Sequence, residues 1–274
     1  MNKSFRTNKS SVSKNIPEIQ TKNRLKKTDW EPVAEWYTHY LNNDPDSYHA
    51  KVIVPNLIRL LGTLNNKIIL DVGCGEGSIT TILAEQAKHV DGFDASASLV
   101  EAAKKQKTKA TFFVHDSRIT IPRKHGLYDH AVCVLAIQNM DNLHAVLSNI
   151  YDALKPDGVF SLVTIHPAFR VPQESDWHYE EKRQAQGRVT YTYLSEKKIS
   201  IVLAPSQRNS AHTTTFHRPL QVYAKCLQNA GFLIRRIEEW ISHKESQKGP
   251  RQHIEDTARK EIPMFMYIEV VKGK

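Results

Sequence analysis

This sequence of 274 residues is poor in cysteine, in long apolar runs, and in glycine and proline. Its three cysteines, at positions 74, 133 and 226, are too few and too scattered for a disulfide framework or a zinc site. No run approaches eighteen apolar residues and the mean hydropathy is −0.48, which excludes a membrane span. The charged N-terminus is followed by no apolar segment, so no secretory signal is predicted. We therefore expect a soluble, cytoplasmic protein.

Positive charge is plentiful but unevenly placed. The net charge is +9, and residues 1–28 hold eight bases against one acid, which leaves only +2 for the remaining 246 residues. The Asn-, Ser- and Lys-rich composition of residues 1–28 predicts a disordered basic tail. Such a tail is a solvated leader, a nucleic-acid tether or an organelle transit peptide. The nearly neutral body, residues 29–274, gives no nucleic-acid signal of its own.

The body alternates short apolar segments with amphipathic ones. This alternation predicts βαβ units and a parallel sheet with helices on both faces, an α/β fold. The predicted strands are 67–72, 89–93, 111–114, 128–135, 158–165, 232–240 and 262–271, and the predicted helices are 30–40, 46–62, 78–88, 97–107, 143–154 and 220–230. Residues 241–261 are interpreted as a polar loop.

One long segment, residues 166–218, interrupts the alternation. It contains four histidines and six aromatic residues, and no long helical period. Within it, residues 189–194 and 199–203 flank Ser-Glu-Lys-Lys and are predicted to pair as a hairpin. Because long insertions after a sheet strand commonly build binding walls, we interpret residues 166–218 as a cap over a substrate site.

The strongest chemical signal is a glycine-rich loop at residues 68–78, Ile-Ile-Leu-Asp-Val-Gly-Cys-Gly-Glu-Gly-Ser. A strand leads directly into Gly73, Gly75 and Gly77 and then into a helix, whose N-terminus offers free amide groups to a ligand. The spacing is Gly-x-Gly-x-Gly, whereas a dinucleotide fold requires Gly-x-Gly-x-x-Gly. Asp71, just before the loop, suits a cationic or amine-bearing ligand better than a pyrophosphate.

The glycine loop resembles the first motif of class I S-adenosylmethionine-dependent methyltransferases, and later motifs of that family follow in order. They are Val-Asp-Gly-Phe-Asp-Ala-Ser at 90–96, Val-His-Asp-Ser at 114–117, Tyr-Asp-His-Ala-Val-Cys-Val-Leu at 128–135 and Leu-Lys-Pro-Asp-Gly at 154–158. The resemblance implies a Rossmann-like methyltransferase fold with a seven-stranded mixed sheet of order 3-2-1-4-5-7-6. Strand 7 would be antiparallel, and helices would cover both faces.

The same resemblance implies S-adenosylmethionine as cofactor and assigns its site. Asp94 would accept hydrogen bonds from both ribose hydroxyls, because a carboxylate has two acceptor oxygens. Asp116 would meet the adenine amino group, and the end of the fourth strand would face the methyl group. The cofactor-binding residues implied are Asp71, Gly73, Gly75, Gly77, Asp94, Ala95, Asp116, Ser117 and Leu135, with no metal.

Further segments are similar to small-molecule methyltransferases of the ubiquinone/menaquinone-biosynthesis type. These segments are Ile-His-Pro-Ala-Phe (165–169), Phe-His-Arg-Pro-Leu (216–220), Asn-Ala-Gly-Phe (229–232) and Ile-Pro-Met-Phe (262–265). That subgroup usually has cysteine at the position of Ala168, so any role of its thiol is lost here. The resemblance therefore implies a reaction type but no particular acceptor.

Two histidines in the insertion are candidate general bases. An acceptor that is protonated at working pH needs a base, and imidazole titrates near neutrality. His166 follows the fifth strand and His217 lies at the end of the cap, so either is placed to accept that proton. The alternative is structural: each precedes Pro or Arg-Pro and would fix that turn by hydrogen bonding. Trp30 and Tyr37 in the first helix either close over the cofactor or pack that helix on the sheet.

Small-molecule methyl transfer is the favoured function, with the methylated atom (oxygen, nitrogen or carbon) and the oligomeric state left open. A tRNA or RNA methyltransferase using the basic tail is the first alternative. Against it, the fourth strand continues as Leu-Ala-Ile-Gln-Asn at 135–139 and lacks the Asn/Asp-Pro-Pro-aromatic sequence of amino-directed nucleic-acid enzymes. A non-catalytic S-adenosylmethionine-binding module is the second alternative, and an oxidoreductase is disfavoured by the glycine spacing.

Overall fold

A computed structural model describes residues 28–202 and 212–273, with the backbone alone for residues 40–43. The predicted disordered tail, apart from Thr28, lies outside the described residues. So does Leu203, the last residue of the predicted hairpin. Across the described segments, no helix is both long and apolar enough to cross a membrane.

The described residues form eleven strands and seven α-helices. The strands are β1 (Ile68–Val72), β2 (His89–Asp94), β3 (Thr111–Val114), β4 (Tyr128–Val134), β5 (Leu154–Ile165), β6 (Ser175–Glu180), β7 (Ala185–Thr190), β8 (Lys197–Val202), β9 (His212–His217), β10 (Phe232–Trp240) and β11 (Phe265–Lys272). The helices are α1 (Ala34–Asn43), α2 (Val54–Leu61), α3 (Ser78–Gln86), α4 (Ala97–Lys104), α5 (Leu143–Ala153), α6 (Leu220–Asn229) and α7 (Gln252–Glu261), with shorter helical turns at Glu31–Val33, His49–Ile53 and Ile137–Asn139.

Seven of the strands build one mixed sheet. Its order is β3-β2-β1-β4-β5-β11-β10, in which β11 runs antiparallel to both of its neighbours. The predicted order 3-2-1-4-5-7-6 is therefore confirmed, with β11 as the predicted strand 7 and β10 as strand 6. The carboxyl ends of β1, β2, β3 and β4 meet at one edge, because these strands are parallel.

Both faces of the sheet are buried under helices, as the apolar central strands require. Alternate residues of β4 enter different clusters: Ala131 and Cys133 pack with α5 and α6, whereas Val132 and Val134 pack with residues of α2 and α3. Cys133 is fully buried. The predicted helix 46–62 is divided, since α2 begins at Val54 after the helical turn at 49–53.

The predicted hairpin between residues 189–194 and 199–203 is wrong. Instead, β6 pairs with β7 and β8 pairs with β9, which gives two separate antiparallel hairpins. The β-branched run that begins at Val189 stops at Thr190, where it is paired with Ser175. The strand propensity was correct, but propensity does not say which distant segment will be the partner.

A helix is found where the sequence predicted a polar loop. Helix α7 has only Ala258 buried, so it shows almost no apolar periodicity. Within it, Arg259 approaches Glu255 at 3.8 Å and Asp256 at 3.9 Å, spacings that stabilise an exposed helix. The last strand consequently begins at Phe265 rather than at residue 262.

Candidate active site

A cavity opens at the carboxyl edge of the sheet, above β1, β2 and β4. Its space of about 620 Å³ is partly open to solvent. The walls come from the glycine loop, the ends of three strands and the N-terminal segment. Its lining residues include Thr28, Trp30, Tyr37, Gly73, Gly75, Phe93, Asp94, Ala95, Leu99, His115, Ser117, Val134, Leu135, Ala136, Asn139 and Met140.

The glycine loop is a tight connection between β1 and α3. Gly73 has φ of +73°, and a Cβ there would lie 2.6 Å from the Cβ of Ala136. Gly77 has φ of +87°, and a Cβ would lie 2.9 Å from the Phe112 ring. Gly73 and Gly75 line the cavity, whereas Gly77 packs behind it. Glycine is therefore required at these positions by conformation and by close packing.

Asp94 stands at the end of β2 with its carboxylate facing the cavity. Its Oδ2 accepts a hydrogen bond from the Gly75 amide at 3.1 Å, and its Oδ1 accepts one from the Ser96 amide at 2.9 Å. Burial raises the pKa of Asp94, while the amide hydrogen bonds act against that rise. Each oxygen is oriented by one amide and retains acceptor capacity, as the proposed ribose contact needs.

Asp71 lies behind the glycine loop and does not line the cavity. Its side chain is buried, and its Oδ2 accepts a hydrogen bond from the Thr80 hydroxyl at 2.6 Å. Burial raises the pKa of Asp71 to about 7, and the nearby charges of Glu76 and Asp94 add to the rise. Any influence of Asp71 on a ligand is thus exerted through the electrostatic field.

Glu76 is a third buried carboxyl group at this loop. It is 3% exposed and accepts a hydrogen bond from the Ser78 amide at 3.3 Å. Within the described segments, no Lys, Arg or His forms an ion pair with Asp71, Glu76 or Asp94. Among the described residues, these acidic groups therefore lack a basic partner, which favours a cationic ligand in the cavity.

The residues of the Val-His-Asp-Ser motif, 114–117, line two neighbouring spaces. His115 and Ser117 line the cavity, but the carboxylate of Asp116 lies in an adjoining cleft. There Arg118 donates to both of its oxygens, at 2.9 Å from Nε to Oδ1 and 2.6 Å from Nη2 to Oδ2. These hydrogen bonds lower the pKa of Asp116 and hold it charged. The predicted adenine contact through this carboxylate stays a prediction.

Residues 135–140, here called the β4 turn, form the opposite wall. Leu135 has φ of +52°, and its amide donates to the Val163 carbonyl at 2.8 Å. Leu135, Ala136, Asn139 and Met140 line the cavity. The Gln138 side chain turns inward instead, donating to the Leu135 carbonyl at 2.7 Å. The β4 turn is therefore held in one shape by its own backbone and side chains.

The N-terminal segment 28–37, here called the strap, covers the cavity. Trp30 and Tyr37 both line it, with their rings edge to face and centroids 5.2 Å apart. The Glu31 carboxylate accepts hydrogen bonds from the Ser96 hydroxyl at 2.7 Å and the Ser98 hydroxyl at 2.6 Å. These contacts tie the strap to the N-terminus of α4, where negative charge is favourable.

Neither candidate general base lines the cavity. His166 is buried, its Nε2 lies 2.7 Å from Oε1 of Glu239, and its Nδ1 accepts the Ala168 amide at 3.2 Å. Burial lowers the pKa of His166. The Nε2 of His217 lies 2.7 Å from the Tyr193 carbonyl, to which it donates. These contacts match the alternative in which each histidine fixes a turn, and a catalytic role stays a prediction without support from the geometry.

Several lining residues were not singled out from the sequence. Thr28, His115, Asn139 and Met140 face the cavity, although only His115 belongs to a quoted motif. Their common signal is position, since each lies within a few residues of a strand end or of the strap. In the described parts of the chain, no three His, Cys, Asp or Glu side chains come together as metal ligands.

Comparisons with known proteins agree with this arrangement. Residues 46–235 match a family described as a methyltransferase domain. An uncharacterized protein of Haemophilus influenzae is 26% identical over 230 residues, covering 79% of this chain and 87% of that protein. A ubiquinone biosynthesis O-methyltransferase of Rickettsia canadensis is 26% identical over 205 residues, covering 73% and 75%. The crystal structure of an S-adenosylmethionine-dependent methyltransferase from Mesorhizobium loti has a TM-score of 0.62 at 22% identity, covering 79% and 96%.

Proposed function

Because the chain belongs to the methyltransferase domain family, whose enzymes take the methyl group from S-adenosylmethionine, we propose that it methylates a small-molecule acceptor. Bound S-adenosylmethionine supplies a methyl group already activated for displacement by its positive sulfur. The residues of this chain then have to bind the cofactor, exclude water and align the acceptor with the methyl carbon. Asp94, the glycine loop and the β4 turn are the residues that would hold the cofactor.

The observation that carries the proposal is a second space that adjoins the cavity. The adjoining cleft shares Thr28, Ala95, Ser117, Asn139 and Met140 with the cavity and continues to Lys198, Thr214 and Phe216 of the β8–β9 hairpin. The strap reaches this hairpin as well, since the Thr214 hydroxyl donates to Asp29. An acceptor entering the cleft is enclosed by strap and hairpin, which suits a small molecule.

The charge of the cleft does not favour a nucleic-acid acceptor. Its charged lining residues are three acids and two bases: Asp29, Asp116, Asp141, Arg118 and Lys198. Arg118 is already occupied by Asp116. A channel for a polynucleotide needs an excess of unpaired basic groups to neutralise phosphates. The near-neutral cleft therefore supports the small-molecule proposal over the RNA alternative.

We favour a hydroxyl oxygen as the methylated atom. The support is the Rickettsia canadensis relative, which is named an O-methyltransferase. A phenolic hydroxyl is the simplest acceptor for this site, because a phenol with pKa near 10 ionises more readily than an aliphatic alcohol. The cleft has Phe216 on one wall and Met140 at its junction with the cavity, which suits an aromatic ring.

Ligand-induced thermal stabilisation tests the cofactor half of the proposal. At one hundred times its dissociation constant, S-adenosylmethionine should add about 2.7 kcal/mol of stability, or about 5–11 °C in melting temperature for a chain of this size. Asp94→Asn should lose most of the shift, because it removes one ribose acceptor. The matched control is Asp152→Asn, an exposed residue of α5 that should keep the full shift. NAD serves as the negative ligand.

The acceptor half is tested by measuring S-adenosylhomocysteine formation with a panel of catechols and hydroxybenzoates, and separately with total tRNA. Turnover with a phenol, lost in Asp94→Asn, is the expected result. Turnover with tRNA alone would contradict the small-molecule proposal. An absence of thermal stabilisation by both adenosyl ligands at millimolar concentration would contradict the cofactor site itself.

A further inference from the structure

A buried arginine contacts the back of the β4 turn. Arg218 directly follows β9 and is 5% exposed. Its Nη2 donates to the Met140 carbonyl at 2.7 Å, and its Nη1 donates to the Ile137 carbonyl at 3.4 Å. The guanidinium thus spans the two ends of the helical turn that shapes one wall of the cavity. The planar guanidinium of arginine can donate to two carbonyl groups at once in a fixed geometry, which the ammonium group of lysine cannot do.

In the part of the chain that the structure describes, this guanidinium forms an ion pair only with a distant and exposed carboxylate. Oε2 of Glu196, the carboxylate atom paired with it, is 4.0 Å from the Nε, and the Glu196 side chain is 58% exposed. The Phe216 ring lies under the guanidinium, 4.8 Å from its Cζ to the ring centroid. Burying a cation is unfavourable unless its donors are satisfied. Here two carbonyl groups of the β4 turn accept hydrogen bonds from the guanidinium, which also bonds the Tyr223 hydroxyl.

A second contact from the same hairpin reaches the carbonyl between those two. The Thr215 hydroxyl of β9 donates to the Gln138 carbonyl at 3.3 Å. Three carbonyls of the β4 turn, at Ile137, Gln138 and Met140, are therefore bound from the β9 side. The β8–β9 hairpin is therefore hydrogen-bonded to the β4 turn, which forms one wall of the cavity.

The β4 turn has little room to move on its other side. A Cβ at Gly73 would lie 2.6 Å from the Cβ of Ala136 and 2.9 Å from the Cε of Met140, so the turn is packed directly on the glycine loop. A displacement of the turn toward the loop closes the cavity, and a displacement away from it widens the cavity. The hydrogen bonds from Arg218 to the Ile137 and Met140 carbonyls oppose such displacements.

We infer that Arg218 is a positioning residue that sets the width of the cofactor cavity by fixing the β4 turn from the β8–β9 hairpin. The inference rests on the proposed function, since it assigns this wall to S-adenosylmethionine. Arg218 does not line the cavity, and its effect on a ligand is exerted through Asn139 and Met140, which do. Changes at the hairpin then reach the cofactor through Arg218, with Thr215 as a second contact to the same turn.

The first measurement needs no ligand. Hydrogen exchange of the peptide covering residues 135–141 is compared in wild type, Arg218→Met and the matched control Arg170→Met. Arg170 is half-buried in the same insertion, donates to the Pro263 carbonyl at 3.4 Å and does not touch the β4 turn. Arg218→Met should exchange at least tenfold faster in that peptide alone, and Arg170→Met should match wild type there.

The second measurement is the dissociation constant for S-adenosylmethionine, obtained by calorimetry on the same proteins. Arg218→Met should bind about tenfold more weakly, Arg218→Lys should recover little, and Arg218→Ala should recover in 20 mM guanidinium chloride. Thr215→Val, which keeps the side-chain shape, should weaken binding about threefold. It replaces the arginine variants as the test if those variants do not fold.

The outcomes separate the two proposals. Unchanged exchange in Arg218→Met or in Thr215→Val, an unchanged dissociation constant in a variant whose turn has loosened, or equal weakening in Arg170→Met would each overturn the positioning role. Failure of wild type to bind S-adenosylmethionine would overturn the proposed function, while the exchange measurement would still decide whether Arg218 fixes the turn.

Discussion

At the scale of single residues, a line of buried polar side chains crosses the sheet. Nε2 of His130 in β4 lies 2.9 Å from the Ser161 hydroxyl, which lies 2.8 Å from the Tyr267 hydroxyl. Tyr267 donates to Glu269 at 3.0 Å, and Arg235 on the edge strand donates to the same carboxylate at 2.8 Å. The line therefore runs from the middle of the sheet to the solvent at β10, and its inner end is a buried imidazole.

This imidazole makes the fold sensitive to acid. Burial, with help from Lys67, lowers the pKa of His130 to about 3, whereas the unfolded chain titrates near 6.5. The unfolded state therefore binds the proton first, and stability falls as the pH drops from 6.5 toward 3. Between pH 7.5 and pH 5 the loss from this residue is about 2 kcal/mol.

His130→Gln should flatten the dependence of unfolding free energy on pH in that interval, whatever its effect on absolute stability. The measurement is urea unfolding followed by tryptophan fluorescence at pH 7.5, 6 and 5. His144→Gln removes an exposed imidazole of α5 and should leave the slope as in wild type. A His130→Gln slope parallel to that of wild type would contradict the assignment.

Which acidic residues face the cavity was only partly predictable. Asp71, Asp94 and Asp116 all follow strands, and the resemblance assigns all three to the cofactor. Asp94 does line the cavity, but Asp71 turns back to Thr80 and Asp116 to Arg118. A motif specifies that a carboxyl group stands near the strand end, whereas neighbouring donors decide where it points. Thr80 and Arg118 belong to none of the quoted motifs, so their effect on these carboxyl groups could not be predicted.

At the scale of elements, the parallel strands were predictable and the insertion was not. β1 and β4 are short, mostly apolar runs, each of β1, β2 and β4 is followed by a helix, and the neighbours of each strand follow from the family resemblance. The hairpins of residues 175–190 and 197–217 lack such a rule, because many segments have similar strand propensity. Helix α7 was missed because Ala258 is its only buried residue, so the sequence shows no apolar face there.

At the same scale, we predict that the hydrogen bonds of Glu31 to Ser96 and Ser98 keep the strap closed over the cavity. Glu31→Gln keeps one acceptor oxygen but loses the second, and also loses the negative charge at the start of α4. The strap should then open more often, and S-adenosylmethionine should dissociate about tenfold faster, equivalent to about 1.4 kcal/mol. The matched control Glu35→Gln changes an exposed carboxylate of α1 and should leave the rate unchanged.

Stopped-flow displacement of S-adenosylmethionine by excess S-adenosylhomocysteine, followed by the fluorescence of Trp30 against the cavity, measures this rate. Equal dissociation rates for Glu31→Gln and Glu35→Gln would mean that the hydrogen bonds to Ser96 and Ser98 do not hold the strap on the cofactor.

At the scale of the whole molecule, the seven-stranded sheet and the position of the cavity were predictable together. Alternating strands and helices predict a parallel sheet, and a glycine loop at one strand end predicts a ligand at that edge. The way in which the strap and the β8–β9 hairpin surround the cavity and the adjoining cleft could not be predicted in the same way. It depends on contacts such as Thr214 to Asp29 and Arg218 to Met140, which join segments about 80 to 185 residues apart. Such contacts leave no periodic trace in the sequence.

The partly protonated Asp71 behind the glycine loop should couple cofactor binding to the release of a proton. With burial raising its pKa to about 7, roughly half of the molecules carry a proton there at neutral pH. A sulfonium cation in the cavity lowers that pKa, so binding expels the proton, and affinity rises with pH until about 7 and then levels off.

Calorimetric binding enthalpies at pH 6.5 should therefore differ between buffers of high and low ionisation enthalpy, such as Tris and phosphate, and Asp71→Asn should abolish the difference. S-adenosylhomocysteine, whose sulfur is neutral, should expel less. Identical enthalpies in both buffers for wild type would rule out the linkage. With this linkage, conversion of the positively charged S-adenosylmethionine to the neutral-sulfur S-adenosylhomocysteine returns a proton to the protein in every cycle. A drop in pH then slows binding of the next S-adenosylmethionine but not release of the product.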